Sequence, residues 1–318
     1  MSYRRILMIG GSMSLLLIGV TFLALFNLNT PSITPDSNNT TNEQTNEEPE
    51  ETEEPNPIDE EPEPSFLEVQ YSSYLWEQLN WSDEFNYSGF PNESKWNFEW
   101  RGPGWVNEEE QEYVKDLNNS YVEDGTLIIK AVLSDKIGIK YTSARINTQS
   151  KAYWTYGRFE ARAILPHGRG LWPAIWMMPQ SSVYGGWPES GEIDIMEYVG
   201  YQPGLIHGTI HCDAYNHLKG TQQGGSVFMA TCEEQFHIYA IEWFPNRIDF
   251  FVDDIKYFTF QKEVNASAYT WPFDQNFYWI LNIAVGGTWG GLYGIDDSVF
   301  PQTMIVDYIR VYQNSTYS

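Results

Sequence analysis

The stretch Gly191-Glu192-Ile193-Asp194-Ile195-Met196-Glu197 sets three acids into a run that otherwise reads as a buried β-strand. Side chains alternate along a strand, so Glu192 and Asp194 share one face while Ile193 and Ile195 share the other. Strict alternation would put Met196 with the acids and Glu197 with the isoleucines. One extra residue in a β-bulge restores the parity and returns Glu197 to the acidic face. The reading predicts an apolar strand carrying a row of three carboxyls along one wall. A solvated strand face with three surface acids is the plain alternative, and the apolar, aromatic flanks argue against it. A calcium site is a second, since acids at i and i+2 are common calcium ligands, but an Asp/Asn-rich loop suits that ion better than an isoleucine strand.

Such a row fits double-displacement glycoside hydrolysis, which needs a carboxylate nucleophile and a second carboxyl acting first as acid and then as base, roughly 5–5.5 Å apart. With one residue bulged out, the outer acids sit about 13 Å apart at Cα by strand rise. Long Glu side chains leaning inward close much of that gap. Asp194, between them, can hydrogen-bond to Glu192 and orient it. Its negative charge also raises the proton affinity of its neighbours, which helps keep Glu197 protonated.

The rest of the chain supports a folded, exported domain. It has 318 residues with 17 Phe, 21 Tyr and 13 Trp, ample for one core of about 250 residues. The net charge of -25 excludes nucleic acid as a natural partner. Residues 28–65 carry twelve acids and no Lys or Arg, and from residue 66 onward there are 31 acids and 16 bases. The domain itself is therefore acidic and suits a neutral or weakly charged substrate.

Residues 6–26 are apolar apart from small Gly, Ser and Thr, follow Arg4 and Arg5, and are long enough to cross a bilayer as a helix. The exit Ala24-Leu25-Phe26-Asn27-Leu28 lacks a small-x-small cleavage site, so residues 1–27 read as an uncleaved anchor in preference to a cleaved signal peptide. The basic flank stays in the cytoplasm and the remainder lies outside the cell, tethered to the membrane. Residues 28–65, rich in Asn, Thr, Pro and Glu, read as a disordered acidic linker, and residues 66–318 as the catalytic domain. In an exported chain Cys212 and Cys232 are expected to form a disulfide closing a loop of about 20 residues, with two buried thiols as the alternative. The domain is expected to act as a monomer.

From residue 66 the chain reads as short strands between Gly, Asn, Asp and Pro turns. Examples are Thr126-Leu127-Ile128-Ile129-Lys130-Ala131-Val132 and Phe236-His237-Ile238-Tyr239-Ala240-Ile241-Glu242-Trp243. Asp253-Asp254 suits a two-residue hairpin turn. No long segment of period 3.6 and no repeat interrupts the pattern, which argues for an all-β sandwich of two antiparallel sheets. Trp172, Trp176, Tyr184 and Trp187 cluster near the acids. Sugar rings have apolar C–H faces that stack on indoles. Trp172 and Trp176 both fall on even positions of one run and can share a strand face, with core packing as the alternative for each.

Nine segments, in order and spanning residues 80–313, resemble glycoside hydrolase family 16, in particular its laminarinase-like endo-β-1,3-glucanases. They include Trp81-Ser82-Asp83-Glu84-Phe85, Gly104-Trp105-Val106-Asn107, Tyr156-Gly157-Arg158-Phe159-Glu160-Ala161-Arg162, Gly170-Leu171-Trp172-Pro173-Ala174-Ile175-Trp176-Met177, the acid run itself, and His207-Gly208-Thr209-Ile210-His211. The resemblance implies a β-jelly roll with a cleft across its concave sheet. It also implies a retaining mechanism with Glu192 as nucleophile, Asp194 as helper and Glu197 as acid/base. The bulged form of the motif goes with laminarinases, agarases and carrageenases in this family, and the unbulged form with lichenases.

By the same resemblance Asn107, Arg145, Trp172 and Trp176 bind sugars on the non-reducing side, His211 sits close to Glu197, and Trp289 covers one end of the cleft. No cofactor is implied for catalysis. A structural calcium is implied away from the acids, held by the Asp307 carboxylate and by backbone carbonyls near Glu84 and Gly125. The run Asn107-Glu108-Glu109-Glu110-Gln111-Glu112 is more acidic than the family's usual Asn-Asn-Glu-x-Gln, and the loop after His211 is individual. The expected substrate is a laminarin-type β-1,3-glucan outside the cell. Mixed-linkage glucan or an algal galactan are alternatives with the same chemistry. A sulfated galactan would call on Arg101, Arg145 and Arg169 as a basic patch. A non-catalytic glucan receptor is the alternative of another class, disfavoured by the presence of all three acids.

Overall fold

Alternating burial builds the molecule. A computed structural model describes residues 76–316; the expected anchor (1–27) and linker (28–65) lie outside the described residues. Among the described residues seventeen strands run in chain order. They are β1 (Gln78–Asp83), β2 (Asn97–Phe98), β3 (Gln111–Tyr113), β4 (Ser120–Glu123), β5 (Thr126–Leu133), β6 (Tyr141–Ser143), β7 (Arg145–Asn147), β8 (Gly157–Ile164) and β9 (Leu171–Pro179), then β10 (Glu192–Tyr198), β11 (Leu205–His211), β12 (Gln223–Phe228), β13 (His237–Phe244), β14 (Arg247–Val252), β15 (Ile255–Gln261), β16 (Phe277–Val285) and β17 (Gln302–Gln313). Among the described residues the helical content is one 3-10 turn, Asp297–Val299.

Ten strands form one sheet, in the order β15-β14-β13-β8-β17-β5-β6-β3, with β1 also on β17 and β4 also on β5. Seven form the other, in the order β12-β11-β10-β9-β16-β7-β2. This is the expected all-β jelly roll, with one departure: the short edge pair β3–β6 is parallel, while every other strand pair is antiparallel. Asp253-Asp254 makes the predicted hairpin turn between β14 and β15, with Asp253 at φ 52.

The core lies between the sheets. Phe159 of β8 packs on Trp279 of β16 at 5.9 Å between ring centroids, and Trp243 of β13 meets Phe277 of β16 at 5.4 Å. All nine residues of β16 are buried. Its odd positions, Phe277 to Val285, face the aromatic core. Its even positions line up with the even residues of β9, so that Ile280 pairs with Trp176, Asn282 with Ala174 and Ala284 with Trp172. The seven-stranded sheet thus presents a second face, and the acids stand on it.

The segment Trp81-Ser82-Asp83 has a structural role. Asp83 is buried and accepts hydrogen bonds from Trp96 Nε1 (2.8 Å) and the Tyr87 hydroxyl (3.0 Å), with Lys95 Nζ at 3.3 Å. The cysteine expectation is corrected: Cys212 and Cys232 are free, buried thiols. The Cys212 Sγ points to the Thr270 carbonyl at 3.7 Å, while the thiol of Cys232 lies beside Tyr239 and Tyr198. The two sulfurs have different neighbours and are not bridged.

The described core begins at Trp76, which is buried and meets Phe244 at 5.2 Å. A chain starting at residue 66 is expected to melt within a degree or two of the full chain. One starting at residue 84, without Trp76 and β1, is expected to melt well below it. Calorimetry checks both, and loss of folding in the first would refute the boundary.

Candidate active site

Pairing on both sides of β10 slips at the same place. Against β9 the register runs Asp194↔Trp176, then Met196↔Ile175 and Glu197↔Ala174; against β11 it slips between Asp194 and Glu197. Ile195 and Met196 are neighbours, yet both are fully buried. This is the predicted bulge, and it leaves Glu192, Asp194 and Glu197 on the face that carries Trp172, Ala174 and Trp176.

The adjoining strand supplies a partner for each acid: His211 opposite Glu192, Thr209 opposite Asp194 and His207 opposite Glu197. His211, expected close to Glu197, is paired opposite Glu192, and only its charge reaches Glu197. β10 and β11 run antiparallel, so the end of β11 meets the start of β10. His211 Nε2 is 3.3 Å from Asp194 Oδ2 and 3.9 Å from Glu192 Oε1.

Glu197 accepts from Trp172 Nε1 at 3.1 Å and from the Thr209 hydroxyl at 3.4 Å. The Trp187 side chain lies beside Glu192, and the Asp194 carboxyl is its neighbour along the row. Burial pushes all three proton affinities up. Glu192 is raised well above the carboxylate range by burial and then by the charge of Asp194, with His211 and Trp187 opposing. Asp194 is raised by burial and by Glu197. Glu197 is raised by burial, offset by His211, Trp172 and Thr209. Burial alone lowers the basicity of His207. The row can give up a first proton and hold the next, which is what a nucleophile beside an acid needs.

Two adjoining hollows of about 430 and 320 Å³ meet at the acids, and both are lined by Asn107, Trp172, Glu192, Glu197 and His217. The larger continues over Trp105, Glu109, Arg145, Trp176 and Asn282. The smaller continues over His207, Thr209, His211, Gln222 and Trp289. Trp172 and Trp176 thus both line the cleft. Trp289 closes the smaller end, edge-on to Trp172 (5.3 Å) and His207 (5.2 Å). That approach needs Gly290, where a Cβ would lie 2.6 Å from the Gly286 carbonyl oxygen and 2.8 Å from Trp172 Cβ.

In the larger hollow the Arg145 guanidinium sits 4.9 Å from the Trp105 ring and 4.6 Å from the Trp176 ring, and its Nε donates to Glu99 at 3.1 Å. Trp176 Nε1 donates to Asn282 Oδ1 at 2.8 Å. Asn107 adopts φ 48, and its carbonyl accepts from Thr288 N at 2.8 Å, tying the two loops of the cleft together. Of Arg101, Arg145 and Arg169, Arg145 alone lines the cleft among the described residues, so the three form no patch there.

Sequence reasoning did not assign Trp105, Glu109, Asn282, His207, Thr209 and His217 to the site. The alternation in His207-Gly208-Thr209-Ile210-His211 was a usable signal for two of them. Away from the acids, β17 pairs with β5 up to Val306↔Leu127 and with β1 from Ile309↔Asp83, so Gly125 and Glu84 flank Asp307. The Asp307 carboxylate is paired with Arg162 at 2.5 Å, and that of Glu84 with Arg310 at 2.8 and 2.9 Å.

Residues 105–309 match the family model described as glycosyl hydrolases family 16. The chain is 54% identical over 245 residues to a beta-glucanase of Rhodothermus marinus, covering 75% of this chain and 85% of that protein. The crystal structure of the laminarinase from Rhodothermus marinus superposes with a TM-score of 0.73 at 52% identity, covering 75% of this chain and 97% of that one. A non-specific endo-beta-1,3(4)-glucanase, SCLam, superposes with a TM-score of 0.71 at 44% identity, covering 74% and 91%.

Because all three carboxyls bind protons more tightly when folded, the unfolded chain binds fewer protons above about pH 4. Their cost to stability grows as pH rises through the folded values and is absent below the unfolded ones. Glu192→Gln and Asp194→Asn are each expected to melt a few degrees above the parent at pH 8 and level with it at pH 4. A lower melting point at pH 8, read by calorimetry, would contradict the burial argument.

Proposed function

The chain belongs to glycosyl hydrolases family 16, and we propose that it cleaves β-1,3-glucosidic bonds inside laminarin-type glucans by double displacement. The observation that carries this reading is the buried row of Glu192, Asp194 and Glu197 at the junction of two aromatic hollows. A polymer laid through both hollows passes its scissile bond over the row.

In the first step the Glu192 carboxylate attacks the anomeric carbon. The glycosidic C–O bond breaks as Glu197 gives its proton to the departing oxygen, leaving a glycosyl ester on Glu192. In the second step Glu197 takes a proton from water, the water oxygen attacks the same carbon, and Glu192 leaves as carboxylate. The Trp172 N–H and Thr209 hydroxyl orient Glu197 for both transfers. The Trp187 side chain and the Asp194 carboxyl orient Glu192. Asn107, Arg145, Trp172 and Trp176 are the proposed sugar contacts of the larger hollow, with His211 beside Glu192 and Trp289 at the smaller end. No cofactor takes part.

The substrate reading is supported by the laminarinase likeness and by an acidic domain that repels anionic polymers. Cleavage of mixed-linkage glucan is the second reading, favoured by the likeness to the non-specific endo-beta-1,3(4)-glucanase SCLam. A glucan substrate supports work outside the cell.

The calcium expectation finds support in the register around Asp307 and opposition in the Arg162 ion pair, since a guanidinium already satisfies the one carboxylate of the donor set. If calcium takes that carboxylate, millimolar Ca²⁺ raises the melting point of the parent and leaves Asp307→Asn unmoved. An unshifted parent would assign Asp307 to Arg162 alone.

Reducing ends released from laminarin, lichenan, agarose and carrageenan test the proposal. Laminarin cleavage is expected, with Glu192→Ala lowering it by roughly 10³-fold or more and Glu197→Gln by about 10²–10⁴-fold. A folded parent that cleaves none of the four would contradict it.

A further inference from the structure

One group of His and acid side chains among the described residues has the spacing of a metal site: Glu192, Asp194 and His211, whose ligand atoms all lie within 4.8 Å of one another. Asp194 is 3% exposed and its Oδ2 has no hydrogen-bond partner, although it lies 3.3 Å from His211 Nε2. At that separation two oriented partners would normally share a hydrogen bond; this pair makes none. His211 is 6% exposed, and its Nδ1 is also without a partner. No hydrogen bond therefore fixes the tautomer, and a proton on Nδ1 leaves the Nε2 lone pair free, 3.3 Å from Asp194 Oδ2 and 3.9 Å from Glu192 Oε1.

Zinc-type ions bind imidazole nitrogen and carboxylate oxygen at roughly 2.0–2.2 Å, so tetrahedral ligand atoms lie about 3.3–3.6 Å apart. The Nε2–Oδ2 separation of 3.3 Å falls at that edge length, and the 3.9 Å from Nε2 to Glu192 Oε1 closes with a small turn of the Glu side chain. One imidazole and two carboxylates suit zinc, cobalt or copper better than calcium, which takes six to eight oxygens. Three protein ligands leave a fourth position, and Glu192 borders both hollows of the cleft from which water or a displacing sugar would reach it.

We propose that Glu192 Oε1, Asp194 Oδ2 and His211 Nε2 bind one divalent transition-metal ion of the zinc class, and that this ion blocks sugar binding at the acid row. The blocking half rests on the glucanase reading; the binding half does not. An ion held there ties up the attacking carboxylate and stands where the anomeric carbon must sit. The ion and the sugar exclude each other.

The test uses the full chain stripped with a chelator and titrated with Co²⁺, whose visible absorption reports low-symmetry coordination, and separately with Zn²⁺ by calorimetry. One equivalent is expected to bind, and laminari-oligosaccharide is expected to suppress the Co²⁺ spectrum. His211→Ala and Asp194→Asn, each checked for folding by circular dichroism, are expected to weaken binding at least 10-fold. Two variants guard against one that fails to fold. No binding, or binding unchanged in both folded variants, would overturn the site. Laminarin cleavage undiminished by saturating Zn²⁺ would overturn the blocking half. Absence of cleavage before any metal is added would instead sink the glucanase reading, and the Co²⁺ spectrum would still judge the site.

Discussion

Parity along β10 is the constraint on which the site depends. A strand has two faces, and seven residues from Glu192 to Tyr198 must place four apolar side chains in a core and three carboxyls in a cleft. Regular alternation cannot do so with Glu197 where it stands. The bulge at Ile195 and Met196 solves the conflict by sending two successive side chains into the core, where both are fully buried. It also tightens the local bend of the strand at the point where the acids converge. Straightening the strand with every residue kept would move Glu197 to the isoleucine face and bury a carboxyl among Trp279, Phe159 and their neighbours, an outcome that costs several kcal/mol, whereas deleting Met196 would keep all three carboxyls on one face.

The two sheets divide the labour. The aromatic core between them holds β9, β10 and β16 rigidly in register, and the outer face of those strands carries the chemistry. A carboxyl row sunk into such a wall loses water and gains protons, so its neighbours decide which member ionises. The indole N–H of Trp172 and the side chain of Trp187 serve that purpose while their ring faces line the cleft. Arg145, clamped between Trp105 and Trp176 and bonded to Glu99, fixes the orientation of both indoles without leaving a free cation in an acidic protein.

Much of this was legible in the sequence because it depends on local period. The acid triplet, its bulge, the Trp172 and Trp176 face and the Asp253-Asp254 turn all follow from counting residues along one strand. What could not be read depends on which strands meet. His211 was expected beside Glu197, and only the antiparallel pairing of β10 with β11 shows that it stands opposite Glu192. Trp105 and Glu109 reach the cleft through a loop with positive φ at Asn107 and Glu108, which leaves no periodic trace. Cys212 and Cys232 share a count and a compartment but not a direction, so the count suggested a bridge that the packing does not make.

The central claim is that two carboxyls on one bulged strand act in succession on one carbon, so that two inversions restore the original configuration. Proton NMR of the first sugar released from laminarin, recorded before mutarotation, reads this directly. The account predicts that the β-anomer appears first and the α-anomer grows in afterwards. An initial α-anomer would mean a single displacement by water, and the close carboxyl row would then need a different role.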